Sequence, residues 1–407
     1  MKTKILMSLL LIFNCLLAYS QERNYGQELT NLSLNKQIPE AMEFYEQYKD
    51  SISHPFATDA YHLMTAIYYN QQDSVDALFP SFIDKYSGSI INDDVVRYLK
   101  EYIRLSKMQI TNETENNGDI HIPILTKPVI IFNAEYNGIP LNTVFDTGGT
   151  YPIFATKDIA EKIGLQMLEE YAPRALNDIK INAANGRLDS IRVGKLLLTN
   201  VPITVIDRDF SQPCIPDSLL SNKEVMAKMD SIYTKIEIIM GLPLIQLLHH
   251  IQFDLDKEEM IISFNHPTDT TKTKNIFLAS DRLFLNTQIN GLNFTAFIDT
   301  GGNWGDLAVA MQDEFYQQHK DQLPVLPPND ADRTNEYMIH GAENMPFIRL
   351  SHSTMLLGNQ SVDLGDDAVI FADRRFYITK DGYVGLGLLK KLKKFTFDFD
   401  AMRLDVK

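Results

Sequence analysis

Two kinds of hydrophobic spacing divide the chain. From about residue 25 to residue 110, apolar residues recur every three or four positions. EAMEFYEQYKD (40–50) and DAYHLMTAIYYNQQDSVDALFPSFIDKY (59–86) carry the period of amphipathic helices. Breaks at Asp50–Pro55 and at Ser87-Gly88-Ser89 predict four or five helices, with VVRYLK (95–100) continuing the pattern. From His121 onward short runs rich in β-branched and aromatic residues take over, as in HIPILTKPVIIFNAEYNG and IKINAANGRLDSIRVGKLLLTNVPITVID. These predict strands. The polar, turn-rich TNETENNGD (111–119) marks the boundary between the two textures. One helical run, ATKDIAEKIGL (155–165), and a polar, helix-prone insert over 209–236 interrupt the β pattern.

The β part repeats itself. NGIPLNTVFDTGG (137–149) and NGLNFTAFIDTGG (290–302) share one layout: an Asn-Gly turn, an apolar strand, and then an aspartate followed by Thr-Gly-Gly. Asn-Gly is a strong hairpin signal because both residues tolerate positive φ. A second pair of segments begins at Gly241 and Gly385. GLPLIQLLHHIQFDLD and GLGLLKKLKKFTFDFD align without a gap, placing Leu242 on Leu386, Phe253 on Phe397 and Asp256 on Asp400. Two different motifs recurring in the same order predict a tandem duplication with divergent middles. The polar HPTDTTKTKN (266–275) separates the halves.

At 407 residues the chain is long enough for two or three domains. Its formal charge of −15 argues against nucleic acid and anionic membranes as partners. Lys2 and Lys4, the apolar ILMSLLLIFNCLLAY, and the small Ala18 and Ser20 read as a cleaved secretory signal over 1–20. That predicts an exported protein, periplasmic or secreted, with no integral membrane segment after cleavage. The residues before Cys15 are Ile12, Phe13 and Asn14, which do not suit a lipid-attachment site. Cys214 is then the remaining thiol, so the mature chain cannot form an internal disulfide.

A single Asp-Thr-Gly would read as a plain turn. Two copies at equivalent positions of a duplicated unit predict that Asp146 and Asp299 meet across a pseudo-two-fold axis. Two carboxylates in contact share a proton, one ionising readily and the other reluctantly. The ionised member can take a proton from water and the protonated one can polarise a carbonyl. Thr147 and Thr300 are placed to hydrogen-bond across the pair, while Gly148 and Gly301 let the backbone approach the carboxylates. His249-His250 stands where the second copy has Lys393-Lys394, which favours a surface position over a metal site. Trp304 is open between a cleft residue and a core aromatic.

The hydrophobic-hydrophobic-Asp-Thr-Gly motif, with a later hydrophobic-hydrophobic-Gly-Leu, resembles the retropepsin-like and pepsin-like aspartic proteases. The resemblance covers about 120–407. It implies a mainly β fold of two pseudo-symmetric β-barrel lobes, lobe 1 over 120–265 and lobe 2 over 276–407, preceded by an α-helical domain over 21–115. It further implies that Asp146 and Asp299 are a catalytic dyad supported by Thr147, Gly148, Thr300 and Gly301. Ile238–Gly241 and Tyr383–Gly385 would then be the supporting strands. The substrate would be a peptide or protein, and no metal or organic cofactor is implied. The family usually places Ser, Thr or Ala after Asp-Thr-Gly, and this chain has Gly149 and Gly302. The missing hydroxyls motivate a second reading, a catalytically weak peptide-binding module on the same fold. Asn185-Gly186 is the candidate flap tip of lobe 1, and Met338–Ala342 its candidate counterpart in lobe 2.

Overall fold

The structure, a computed structural model, describes residues 24–34, 37–69, 71–86, 100, 103–105, 107–127, 129–176, 179–207, 235–267, 273–279, 282–302, 307–329, 332–338, 341–371 and 381–406. The leader expected over 1–20, residues 209–234 of the expected insert with its Cys214, and Trp304 lie outside them. The chain divides into two units, Met1–Ser106 and Lys107–Lys407. No helix among the described residues is long and apolar enough to cross a membrane.

The first unit is helical. Its helices are α1 (Tyr25–Leu34), α2 (Ile38–Tyr48), α3 (Pro55–Tyr68) and α4 (Gln72–Tyr86). Proline opens both α2 and α3, where the missing N–H costs nothing. The apolar stripe of α3 supplies the centre: Leu63 and Met64 are buried and pack with Ile38, Phe56, Val75, Phe82 and Tyr86. The helix expected over 95–100 falls almost entirely outside the described residues.

The second unit is β and carries the duplication. Its first lobe comprises β1 (Gln109–Asn112), β2 (Ile120–Leu125), β3 (Ile131–Tyr136), β4 (Ile139–Asp146), β5 (Ile153–Thr156), β6 (Gln166–Met167), β7 (Ala172–Leu176), β8 (Ile179–Val193), β9 (Leu196–Ile206), β10 (Ile238–Gly241), β11 (His250–Asp254) and β12 (Glu259–Ser263). Strands β3, β4, β10, β5, β9 and β8 pair in that order, and β8 returns to β3, so six strands close a barrel. The polar stretch 111–119 is not a linker. Residues 109–112 pair with β9, and Asn112 and Thr114 hydrogen-bond the Gly118 carbonyl, so the segment belongs to the β unit.

The second lobe comprises β13 (Ile276–Ala279), β14 (Arg282–Ile289), β15 (Leu292–Ile298), β16 (Val309–Met311), β17 (Arg333–Met338), β18 (Gly341–Pro346), β19 (Ile348–Arg349), β20 (Ser353–Leu357), β21 (Gln360–Gly365), β22 (Ala368–Ile370), β23 (Gly382–Val384), β24 (Lys394–Asp398) and β25 (Arg403–Val406). It repeats the first lobe's arrangement up to an open edge. β15 pairs in parallel with β23, as β4 does with β10, and β16 pairs in parallel with β22, as β5 does with β9. The path runs β19-β22-β16-β23-β15-β14-β20-β21 and does not close, giving a half-barrel.

The turn chemistry is shared. Asn137-Gly138 and Asn290-Gly291 all take positive φ, as their hairpins require. The Asn137 side chain accepts from the Ser190 N–H at 3.1 Å, and Asn290 accepts from the Thr354 N–H at 2.8 Å. Each turn is thereby tied to a neighbouring strand of its lobe. Asp381 accepts from the Thr295 N–H at 2.7 Å, as Glu237 accepts from the Asn142 N–H at 2.9 Å.

The lobes join at their base through β11 and β24, which pair antiparallel from His250↔Asp398 to Asp254↔Lys394. Gln252 faces Thr396, its own counterpart in the gapless alignment, so the pseudo-two-fold axis passes between them. Phe145, Phe253, Phe395 and Phe397 are all fully buried there. Phe253 lies 5.1 Å from Phe145 and 4.8 Å from Phe395. The histidine pair does not share one environment. His249 and Lys393 both turn the chain at positive φ, whereas His250 is buried in β11 and stacked on His266 at 3.8 Å.

The Gly-Leu motif has a steric cause. β10 runs between β4 and β5, so the chain from Asp146 to Ile153 must cross over its end. A Cβ on Gly241 would fall on the Tyr151 carbonyl and lie 2.7 Å from the Gly149 carbonyl oxygen. On Gly385 it would lie 2.8 Å from the Gly302 carbonyl oxygen. The next amide completes each crossing: Leu242 N–H donates to Gly149 at 2.9 Å and Leu386 N–H to Gly302 at 3.0 Å. Gly241→Ala is therefore predicted to destabilise the fold by about 2 kcal/mol or more through backbone collision. Thermal unfolding checks this, and an unchanged Tm would contradict the crossing as its cause.

Candidate active site

β4 and β15 each deliver an aspartate into a tight turn at the pseudo-two-fold axis. The threonines that follow are fully buried and bond reciprocally. Thr147 N–H donates to Thr300 Oγ1 at 2.9 Å, and Thr300 N–H donates to Thr147 Oγ1 at 3.0 Å. Each hydroxyl then donates across the axis, Thr147 to the Ile298 carbonyl at 3.0 Å and Thr300 to the Phe145 carbonyl at 2.7 Å. Four hydrogen bonds thus satisfy two buried amides, two hydroxyls and two carbonyls at once, and the threonine roles read from the sequence have their geometry here.

The glycines set the spacing of the carboxyls. A Cβ on Gly148 would lie 2.5 Å from both Asp299 carboxyl oxygens, and one on Gly301 would lie 2.6 Å from Asp146 Oδ1. Each glycine is therefore the wall against which the opposite carboxyl rests. Gly148 N–H donates to Asp146 Oδ1 at 2.8 Å, and Gly301 N–H donates to Asp299 Oδ1 at 2.8 Å. The two carboxyls face each other across the axis, close enough for Asp299 to bear on the ionisation of Asp146.

The pair is not symmetric. Asp299 Oδ1 also accepts from Gly302 N–H at 2.9 Å, and Asp299 Oδ2 accepts from the Tyr383 hydroxyl. Desolvation by the surrounding protein, followed by the neighbouring Asp299 charge and the hydrogen bond to it, pushes the Asp146 carboxyl well above the ordinary carboxylate range. The amides of Gly148 and Gly149 pull the other way and are outweighed.

Sequence reading missed two groups at this site. Tyr383 is one; its alignment with Ile239 of the first lobe was the available signal. Arg282 is the other. Its guanidinium donates to the Gly148 carbonyl at 2.9 Å and lies 5.6 Å over the Phe297 ring, and no feature of the repeated motifs marks it.

The flap expectation for lobe 1 needs correction. Asn185 and Gly186 are not a turn: they lie inside β8, paired with Thr204 and Ile203 of β9. Asn185 is buried, its side-chain oxygen accepting from Thr204 Oγ1 at 3.0 Å. Gly186 is needed for close packing, since a Cβ there would lie 2.7 Å from Leu165 Cδ2. The lobe 1 hairpin is formed by β7 and β8, with Leu176 facing Ile179. In lobe 2, β17 and β18 form a separate two-stranded hairpin with Met338 facing Gly341, at the position expected from the sequence.

Among the described residues no cluster of three or more His, Cys, Asp or Glu could hold a metal ion. A family model described as aspartyl protease matches residues 132–223, which hold β4, Asp146 and the β7–β8 hairpin. A solved retropepsin-like aspartic protease from Rickettsia conorii is similar at 21% identity and a TM-score of 0.23, over 39% of this chain and 93% of that one. A superposition that weak has no bearing on the site. No curated protein matches the chain.

Two outcomes test the geometry. Thr300→Val is predicted to cost about 1–3 kcal/mol, because it strands the buried Thr147 amide while keeping the side chain's shape. Equal stability of this variant and the wild type in denaturant melts would argue against the threonine exchange. Asp146→Asn is predicted to change the pH dependence of stability. A carboxyl whose folded pKa is raised holds its proton longer in the folded state than in the unfolded one, so wild-type stability declines as pH rises above about 3.9 toward that raised value. The asparagine variant escapes this decline. Its Tm relative to wild type should be higher at pH 7 than at pH 4, and a pH-independent difference would count against a reluctant Asp146. The family match, together with the doubled motif and its crossing strands, supports a retropepsin-like aspartic protease family for the β unit.

Proposed function

We propose that the β unit is an aspartic endopeptidase that hydrolyses peptide bonds with a water activated between Asp146 and Asp299. The observation that carries this reading is the contact of the two carboxyls across the pseudo-two-fold axis, each held by a glycine amide and walled by the opposite glycine. The raised Asp146 makes it the protonated member, which donates its proton to the scissile carbonyl oxygen. Asp299, with donors on both oxygens, is the base that takes a proton from water as the water oxygen attacks the carbonyl carbon. In the collapse that follows, Asp299 returns its proton to the amide nitrogen, Asp146 recovers one from the hydroxyl, and the C–N bond breaks. No covalent link to the enzyme forms.

The leader over 1–20 supports an exported location, periplasmic or secreted, with peptide or protein substrates met outside the cytoplasm. The acidic balance suits a soluble enzyme that does not bind nucleic acid.

The test is peptide cleavage by the full chain across pH, for the wild type, Asp146→Asn and Asp299→Asn. Each substitution is predicted to lower kcat/KM by a factor of about one hundred to ten thousand. Undiminished cleavage in either variant would remove the dyad from the mechanism. Peptide binding by the wild type without cleavage at any pH would favour the binding-module reading instead.

A further inference from the structure

Both Asp-Thr-Gly triplets are followed by a glycine, but the space beside those glycines is filled differently. In lobe 1, a Cβ on Gly149 would meet backbone and the dyad itself: Gly241 Cα at 3.1 Å and Asp146 Oδ2 at 3.4 Å. In lobe 2, a Cβ on Gly302 would fall on the hydroxyl of Tyr383 and lie 3.1 Å from its Cε1 and Cζ. That hydroxyl is the one that donates to Asp299 Oδ2. It occupies the room a side chain at 302 would need, and it bonds the aspartate of the same turn.

Tyr383 is held there. It lies on β23 in register with Phe297, two residues before Asp299 on the neighbouring strand. Its ring is buried edge-on against Phe297 at 5.1 Å, in a cluster with Phe284, Ala310 and Phe371. A phenol so enclosed keeps its hydroxyl at one place. The corresponding residue of lobe 1 is Ile239, which has no hydroxyl to offer.

We infer that Tyr383 is a positioning residue of the hydrolytic dyad, supplying from the supporting strand the hydroxyl that the position after Asp-Thr-Gly lacks, with Gly302 as the complement that makes room for it. The inference rests on the aspartic-protease reading for its consequence and on geometry for its placement. It assigns the two aspartates different work, because the extra donor sits on Asp299 alone. Among the described residues, the hydroxyl bonds Asp299; the other charged groups on the neighbouring elements are Asp146 across the axis and Arg282 of β14, which lies over the Phe297 ring. β16 offers Val309, Ala310 and Met311, none of which titrates.

Tyr383→Phe tests it in the full chain. The acid limb of the kcat/KM profile should move up by about one pH unit, because a donor to the ionised dyad is lost. KM should stay within about twofold while kcat falls about tenfold, as expected for an interaction that acts on the reacting groups. Independently of cleavage, the Tm deficit of Tyr383→Phe relative to wild type should widen as pH rises through ionisation of the dyad. A deficit constant with pH, together with an unmoved acid limb, would mean a packing role and overturn the inference. If the wild type cleaves nothing, the protease reading fails, and the Tm comparison still decides the role of Tyr383. A rescue completes the test. Gly302→Ser in a Tyr383→Leu background returns a hydroxyl from the other side and should recover at least part of the loss, whereas Gly302→Ser alone, which collides with Tyr383, should not retain wild-type activity. No gain of the double variant over Tyr383→Leu, with both folded to equal Tm, would also overturn it.

Discussion

The exchange between Thr147 and Thr300 is the interaction on which the rest depends. Each threonine gives an N–H and a hydroxyl to the opposite lobe, and each is fully buried. Buried polar groups are costly unless they are paired, so the exchange is worth keeping only when both lobes are in register. Once it forms, the geometry of the next two residues follows. The aspartates on one side and the glycines on the other are brought face to face, and their separation is set by backbone rather than by flexible side chains. The crossing of each Asp-Thr-Gly loop over Gly241 or Gly385 then fixes the turns from below.

Within this near-symmetric frame the chemistry is asymmetric. The backbone amides alone would give two similar acids. The Tyr383 hydroxyl on Asp299 breaks the equivalence, while desolvation and the adjacent negative charge raise the Asp146 carboxyl. Duplication supplies the two-fold scaffold, and divergence at single positions, Tyr383 against Ile239, gives the two carboxyls different surroundings.

Much of this could be read from the chain because it was written twice. The equivalence of Asp146 with Asp299 and of Gly241 with Gly385 needed only a gapless comparison, and the parallel pairing of β4 with β10 and β15 with β23 accounts for both motifs. Where one copy stood alone, local signals misled. Asn185-Gly186 has the same dipeptide as Asn137-Gly138 and Asn290-Gly291, yet only the latter two turn with positive φ. In β8 the glycine serves close packing against Leu165, a tertiary demand that no dipeptide records. TNETENNGD likewise looks like a linker by composition, but its first residues complete an edge of β9, and its polar side chains close a local turn. Tyr383 was visible as a letter and not as a hydroxyl donor, since its target lies across a strand pair rather than along the sequence.

The pairing of β11 with β24 has a consequence for how such a chain arises. Gln252 faces Thr396, its own counterpart, and Phe253 faces Phe395 beside it. A contact that places equivalent positions opposite each other is isologous, the form that two identical subunits make about a two-fold axis. The seam between the lobes therefore has the form of an oligomeric interface carried inside one polypeptide. Linking the two copies makes their association concentration-independent, and it frees each to change alone, as the closed and open barrels have done. A lobe separated from its partner would expose β11 or β24 as an unpaired, apolar edge, the kind of surface that recruits another strand.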